Sequence, residues 1–202
     1  SHLLFYSCCA QDLGGLTPFI YGMRDREQVL NVMEETTGGR LIQNYYRIGG
    51  CQEDIDPNFV QNVKKLCAYM KPMFQEYRDI FTGNVILQNR FKNVGKLSME
   101  DAISYGCTGG TGRATGWRND VRKNHPYDMY GKVDFDEITY QNGDCFDRYM
   151  VRMDEMEQSI RIIEQLIDNI PEGEYCVKVP KLLKLPAGSW FQLTEGCRGV
   201  FG

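Results

Sequence analysis

The chain has 202 residues, with 23 Lys and Arg against 27 Asp and Glu, a formal net charge of -4 and a sequence pI near 5.3. A chain of this length buries roughly 70% of the surface its unfolded form exposes, so one real core is expected. With 12 Tyr, 10 Phe and 2 Trp and little net charge, the composition excludes an intrinsically disordered chain. The lack of a Lys/Arg excess argues against a nucleic-acid binder, and no apolar run reaches the roughly 18 residues that a membrane span needs.

In chain order, the segment from Ser1 to about Gln11 is apolar enough to be the end of a helix, interrupted by Leu13-Gly14-Gly15. It reads as an interior piece of a longer polypeptide. Thr17-Pro18 reads as an N-cap followed by proline at the first helical position. That helix is expected to run to about Thr37 and end at Gly38-Gly39, where a left-handed cap is cheap for glycine. Residues 40–48 are rich in aromatic and branched side chains and end in the turn Gly49-Gly50.

Asp56-Pro57 is a second cap-plus-proline start. Behind it Val60, Val63, Cys67, Met70, Phe74, Tyr77 and Phe81 recur at spacings of three and four, one apolar stripe on a helix over about 57–81. Pro72 inside it predicts a kink. Ser98 with Asp101 reads as a short capping box. The strongest periodicity lies between Asp144 and Ile170, where Phe146, Tyr149, Met153, Met156, Ile160, Ile163, Ile167 and Ile170 alternate at three and four. This predicts a long helix packed along one seam. Tyr175–Val179 and Trp190–Leu193 are the two β-like runs of the tail. The fold expected is one mainly α domain over residues 1–202, a helical bundle with a small β segment near the C-terminal end.

The eight cysteines form no C-x-x-C pair, and the histidines are two, His2 and His125. Structural zinc and iron–sulfur sites usually take ligand pairs at such short spacing, so no metal site is expected within this chain. Free cysteines packed as small hydrophobes are the reading preferred over a disulfide framework.

Three constellations could carry chemistry. The run from Gly106 to Gly116 matches neither a dinucleotide fingerprint nor a phosphate loop, because Gly110-x-Gly112 is followed by Gly116, one residue too far, and a helix precedes it. It is expected to be a loop whose backbone turns sharply or lies close to something, with Arg113 as a possible contact for an anion or a partner. Asp12, between an apolar segment and Gly14-Gly15, is either a helix-terminal cap or a partly buried acid suited to proton transfer. The charge-dense stretch Arg118 to Tyr127 is either a solvated face or an interface knit by ion pairs.

Several strings then line up with one family. Asp12-Leu13-Gly14-Gly15-Leu16-Thr17-Pro18-Phe19 with Arg24-Asp25-Arg26-Glu27, Tyr46-Arg47-Ile48-Gly49-Gly50, and Asp120-Val121-Arg122-Lys123 with Pro126-Tyr127 each resemble its motifs. Most specific is Gly143-Asp144-Cys145-Phe146-Asp147-Arg148-Tyr149 running into Arg152, Glu155-Met156, Gln158-Ser159 and Ile162-Ile163. Together they resemble the D-type subunits of the proton-pumping NADH–quinone oxidoreductase, the mitochondrial 49 kDa subunit family, over essentially the whole chain.

The resemblance implies a bundle of the nickel–iron hydrogenase large-subunit type that has lost the metal. It implies a place in respiratory complex I, on the cytoplasmic face of a bacterial inner membrane or the matrix side of the mitochondrial one. The partners it implies are a small B-type subunit with an iron–sulfur cluster, a C-type subunit and membrane-arm subunits. Quinone is the substrate; NAD(H) serves the complex without binding this chain. Asp12 matches the family's acid beside the quinone head group. Arg47, Gly49, Gly50, Gln52 and Asp54 match the loop that faces quinone and cluster. Gln52 stands where mitochondrial members have a histidine, and an amide does not titrate there. The isolated chain is expected to be inactive. The alternatives are a membrane-bound nickel–iron hydrogenase large subunit and a helical interaction module without a site.

Overall fold

The computed structural model describes residues 1–202. Two helices open the chain, α1 (His2–Asp12) and α2 (Leu16–Thr37). A minimal hairpin follows, β1 (Tyr46–Arg47) with β2 (Gly50–Cys51), paired antiparallel with Tyr46 opposite Cys51. Then come α3 (Phe59–Tyr77), a π-helical turn over Arg78–Thr82, and the short helices α4 (Val85–Phe91), α5 (Met99–Ser104), α6 (Gly109–Arg113) and α7 (Val121–Asn124). A 3-10 turn at Tyr130–Lys132 leads to the long α8 (Cys145–Ile167). A second hairpin, β3 (Thr194–Gly196) with β4 (Gly199–Phe201), ends the chain.

The core is built where the three-four spacing predicted it. From α3 it takes Val63, Cys67, Met70, Phe74 and Tyr77, with Phe81 beyond. From α8 it takes Tyr149, Met153, Met156, Ile160 and Ile167, and α1 adds Leu3, Tyr6 and Ala10. Aromatic rings knit the centre: Tyr6 lies 4.5 Å from Tyr77, and Phe81 meets Tyr6 and Tyr149 edge-on at 5.6 and 5.9 Å between centroids. Such tilted and edge-on pairs suit the ring quadrupoles.

The capping expectations divide. Gly38 closes α2 at φ +72°, as glycine allows, and its N–H donates to the Glu34 carbonyl. Ser98 caps α5 by accepting from the Asp101 N–H, and Asp144 caps α8 by accepting from the Asp147 N–H. At the start of α2, however, the N-cap is Gly15 and Thr17 is already helical, so Thr17 caps nothing. The third helix starts two residues later than Asp56-Pro57 suggests, with Asn58 as N-cap. Its α-helical hydrogen bonding continues past Pro72, and the departure to π geometry comes only at Arg78. The last long helix ends at Ile167, short of the Ile170 to which the periodicity runs, and leaves Ile170 outside the core.

The tail corrects the strand expectation. The paired strands are 194–196 and 199–201, while Trp190 and Phe191 are exposed. The segment from Tyr175 instead docks along the first hairpin: the Val177 N–H donates to the Gly49 carbonyl at 3.0 Å, and the Cys51 N–H to the Tyr175 carbonyl at 2.9 Å. Of the eight free cysteines only Cys67 is buried, so packing as a small hydrophobe describes that one alone.

Candidate functional site

Asp12 is the last residue of α1 and is exposed. Backbone N–H groups close the helix end: Leu13 donates to the Cys9 carbonyl and Gly14 to the Gln11 carbonyl. Asp12 is therefore neither the cap nor the buried acid expected from its sequence position. A carboxylate at a helix C-terminus faces the negative end of the helix dipole, so this position adds nothing to helix stability. Asp12 lies on the rim of a cleft of about 500 Å³ between α1 and the start of α8, whose walls include Phe5, Cys9, Phe91, Cys145 and Arg152. The Cys9 thiol is pushed up to about 12, by burial first and then by Asp12 and Cys145 nearby.

The loop from Arg47 to Asp54 is the first hairpin and its exit. Arg47 and Asp54 are exposed, and Gln52 is half-buried with its N–H donating to the Tyr45 carbonyl at 2.8 Å. Gly50 sits at φ +151°, and a Cβ there would meet the Tyr175 carbonyl oxygen at 2.2 Å. Only glycine lets the tail cross the hairpin so closely. Around the hairpin, Ile42 (95% exposed), Tyr46 and Ile48 are uncovered. No residue of this loop lines the cleft beside Asp12.

Arg113 turns out to face inward. It is 2% exposed and donates to Glu155 from Nε at 3.0 Å and from its terminal nitrogen at 2.6 Å, and to Glu195 at 2.8 Å. No free guanidinium remains for an outside anion. Glu155 also meets His2 Nε2 at 2.8 Å. Burial works against ionised Glu155, but His2 and Arg113 outweigh it and hold the carboxyl below its ordinary range. The glycine run lets this happen. Gly109 sits at φ +68°, and a Cβ there would meet the Gly199 Cα at 2.5 Å; the Val200 N–H then donates to Thr108 Oγ1 at 2.9 Å. The expected close approach is thus to β4, which carries the second hairpin and Glu195 onto Arg113.

The charged stretch before Tyr127 divides: Asp120 is buried and Arg122 half-buried, while Arg118, Lys123, Asn124 and His125 are exposed. Arg122 donates to Asp120 at 2.6 and 2.9 Å, and the Glu195 N–H donates to the Tyr127 hydroxyl at 3.1 Å. It knits ion pairs within the chain.

The acid that sequence reading missed is Asp25. It is fully buried and accepts from Arg24 Nε at 2.6 Å, Tyr69 Oη at 2.7 Å and Tyr77 Oη at 2.5 Å. Burial opposes its charge, yet the hydrogen bonds from Arg24, Tyr77 and Tyr69 hold its carboxyl below the usual range. The signal was present: Pro18, Gly22 and Asp25 fall at helical spacing on the buried face of α2. In the sequence, Asp25 stands out only within the family-like string Arg24-Asp25-Arg26-Glu27. No three His, Cys, Asp or Glu side chains converge as a metal-holding group.

Comparison with known proteins decides the family. The model of the family described as "Respiratory-chain NADH dehydrogenase, 49 Kd subunit" matches residues 12–201. The chain belongs to this 49 kDa subunit family. Its relatives include a C/D-type subunit of the NADH-quinone oxidoreductase of Phocaeicola vulgatus, 62% identical over 202 residues. They also include the D-type subunits of Desulfotalea psychrophila and Bacillus cytotoxicus, 46% and 42% identical over 203 residues. Each match covers 100% of this chain, which spans 39% of the first relative and 55% and 56% of the other two. In this 49 kDa family member, the Asp12 cleft and the first hairpin lie at opposite ends of α2 in sequence. The two are not joined into one pocket within the chain.

Proposed function

We propose that the protein is the part of an NADH–quinone oxidoreductase that helps to enclose quinone, with Asp12 delivering protons to the reduced ring. The family match over residues 12–201 carries this reading, and the position of Asp12 on the rim of an apolar-walled cleft supports it. Quinone reduction takes up two electrons and two protons. An exposed carboxylate at the mouth of such a cleft can reload from solvent and pass a proton inward, the work of a general acid.

The Arg47–Asp54 hairpin is the second half of the reading. Its exposed Arg47, Tyr46 and Ile48 form a surface for a small B-type subunit, whose own ligands hold the iron–sulfur cluster. A C-type subunit and membrane-arm subunits complete the partners, and NAD(H) is oxidised elsewhere in the assembly. No helix is long and apolar enough to cross a membrane, which fits peripheral attachment on the cytoplasmic face of a bacterial inner membrane. The bundle is of the hydrogenase large-subunit type.

Purification from the source in mild detergent tests this. Co-purifying iron–sulfur subunits with iron and no nickel are expected, and nickel in the preparation would contradict the reading. The chain alone is expected to reduce no quinone; turnover without partners would overturn its dependence on them.

A further inference from the structure

The cleft beside Asp12 has a second property that proton delivery does not use. On α1, Phe5, Cys9, Asp12 and Leu13 recur at helical spacing along one face, a wall about 12 Å long at roughly 1.5 Å per residue. On α8, Cys145, Arg148 and Arg152 form the facing wall. The guanidinium of Arg152 stacks over the Phe5 ring at 4.6 Å, which fixes that end of the cleft. Phe91 and Leu13 keep the remainder apolar.

Neither arginine forms a salt bridge. Arg24, Arg40, Arg78, Arg113, Arg122 and Arg161 each meet a carboxylate. Arg148 instead donates to the Gly143 and Gly95 carbonyls at 2.6 and 2.8 Å and to Cys145 Sγ at 3.2 Å. Arg152 reaches only the Arg148 carbonyl and the Phe5 ring. Burial lowers its pKa; the attraction of Glu155, the strongest nearby charge, opposes this, and the cations Arg148 and Arg113 add to the lowering. Two guanidinium groups without a salt bridge therefore stand on the α8 wall of a largely apolar cleft that carries one carboxylate, Asp12, on its α1 wall. Beyond Arg152 the furrow continues to the turn of the second hairpin, where Arg198 adds a third cation.

We propose that this cleft binds a single-chain anionic amphiphile, its carboxylate or phosphate head against Arg148 and Arg152 and its alkyl chain along Phe5, Phe91 and Leu13. Guanidinium donors favour planar or tetrahedral oxyanions through paired charge-assisted hydrogen bonds. The apolar walls then select for a tail, because each buried methylene adds to affinity. A bare anion would leave those walls wet, and a neutral alcohol would bring no negative charge to the two guanidinium groups. The inference goes beyond the quinone reading and does not rest on it, since binding is read without turnover.

Titration calorimetry on the purified protein tests it, with octanoate, decanoate and dodecanoate below micelle formation, dodecyl phosphate, 1-decanol and inorganic phosphate. Each added methylene is expected to tighten binding about two- to fourfold. Arg152→Gln is expected to weaken decanoate about tenfold, the size of a lost charge-assisted hydrogen bond, with little effect on 1-decanol. Because Arg148 also holds two backbone carbonyls, the second variant is Cys8→Trp. Cys8 is exposed on the cleft wall, and the indole would fill the space and abolish binding with the fold intact by circular dichroism. A preference for dodecyl phosphate or for dodecanoate assigns the head group, and either supports the proposal. Equal binding of decanoate and 1-decanol would overturn it. So would inorganic phosphate binding as tightly as dodecyl phosphate, or unchanged binding in Cys8→Trp.

Discussion

The α1–α3–α8 core and the layer formed by the first hairpin and the tail use the same kinds of residue to opposite ends. In the core, Tyr6, Tyr77 and Tyr149 are 0% exposed and each ring meets another. In the hairpin and tail, Tyr46, Leu185 and Phe191 are 86%, 82% and 78% exposed. Hydrophobic residues at three-four spacing on long helices bury themselves within the chain. Those on short extended segments have no second face to close against and remain available to another surface. Exposed apolar side chains are where interaction surfaces form, and Tyr46 and Ile48, at 86% and 70% exposed, border the Arg47–Asp54 loop.

Truncating a core ring against a tail ring gives the widest contrast. Phe74→Ala is expected to destabilise the protein by about 3–5 kcal/mol, the range for large aromatic truncations in cores, whereas Phe191→Ala stays within about 0.5 kcal/mol, as for exposed positions. Denaturant titration of both variants checks this, and similar losses would erase the distinction between the two regions.

The ion-pair cluster joins the regions, because Glu195 belongs to the second hairpin and Glu155 to α8. Arg113→Met leaves two buried carboxylates without their cation, and breaking such a pair costs about 3–5 kcal/mol. The second hairpin should also become the first site of limited proteolysis in that variant. Wild-type resistance around residue 195 would show that the hairpin is held by something other than Arg113.

A smaller effect separates the regions by pH. Asp25 and Glu155 both sit below the ordinary carboxyl range in the folded chain. The stability they contribute is therefore complete above their unfolded pKa, at about 4, and is lost as pH falls through the depressed folded values. Asp25→Asn is expected to flatten the fall in melting temperature between about pH 5 and pH 3. An unchanged slope would mean that Asp25 is not held ionised by Arg24, Tyr69 and Tyr77.

The long helices were legible because their burial follows from local spacing: Val63 to Phe81 and, on α8, Tyr149, Met153, Met156, Ile160 and Ile167 are buried where the period puts them, although Ile163 is only half-buried and Val151 and Ile162 are buried off the stripe. The strands were not, since β3 and β4 are three residues each and exist through pairing with one another and through the close passage of Gly199 over Gly109. Arg113 was misread for the same reason, as its partners lie 42 and 82 residues away. Asp25 escaped notice because its two tyrosine donors come from α3. The family motifs named Asp12, but its exposure on the rim of a cleft depends on how α1 meets α8, which no local string encodes.

Asp12→Asn in the assembled complex is the decisive test of the proposed proton delivery to quinone. Assembly is expected to be intact, electron transfer to an artificial acceptor such as ferricyanide unchanged, and quinone reduction slowed by about a hundredfold or more, the scale of a lost general acid. Quinone reduction at the wild-type rate in that variant would contradict it.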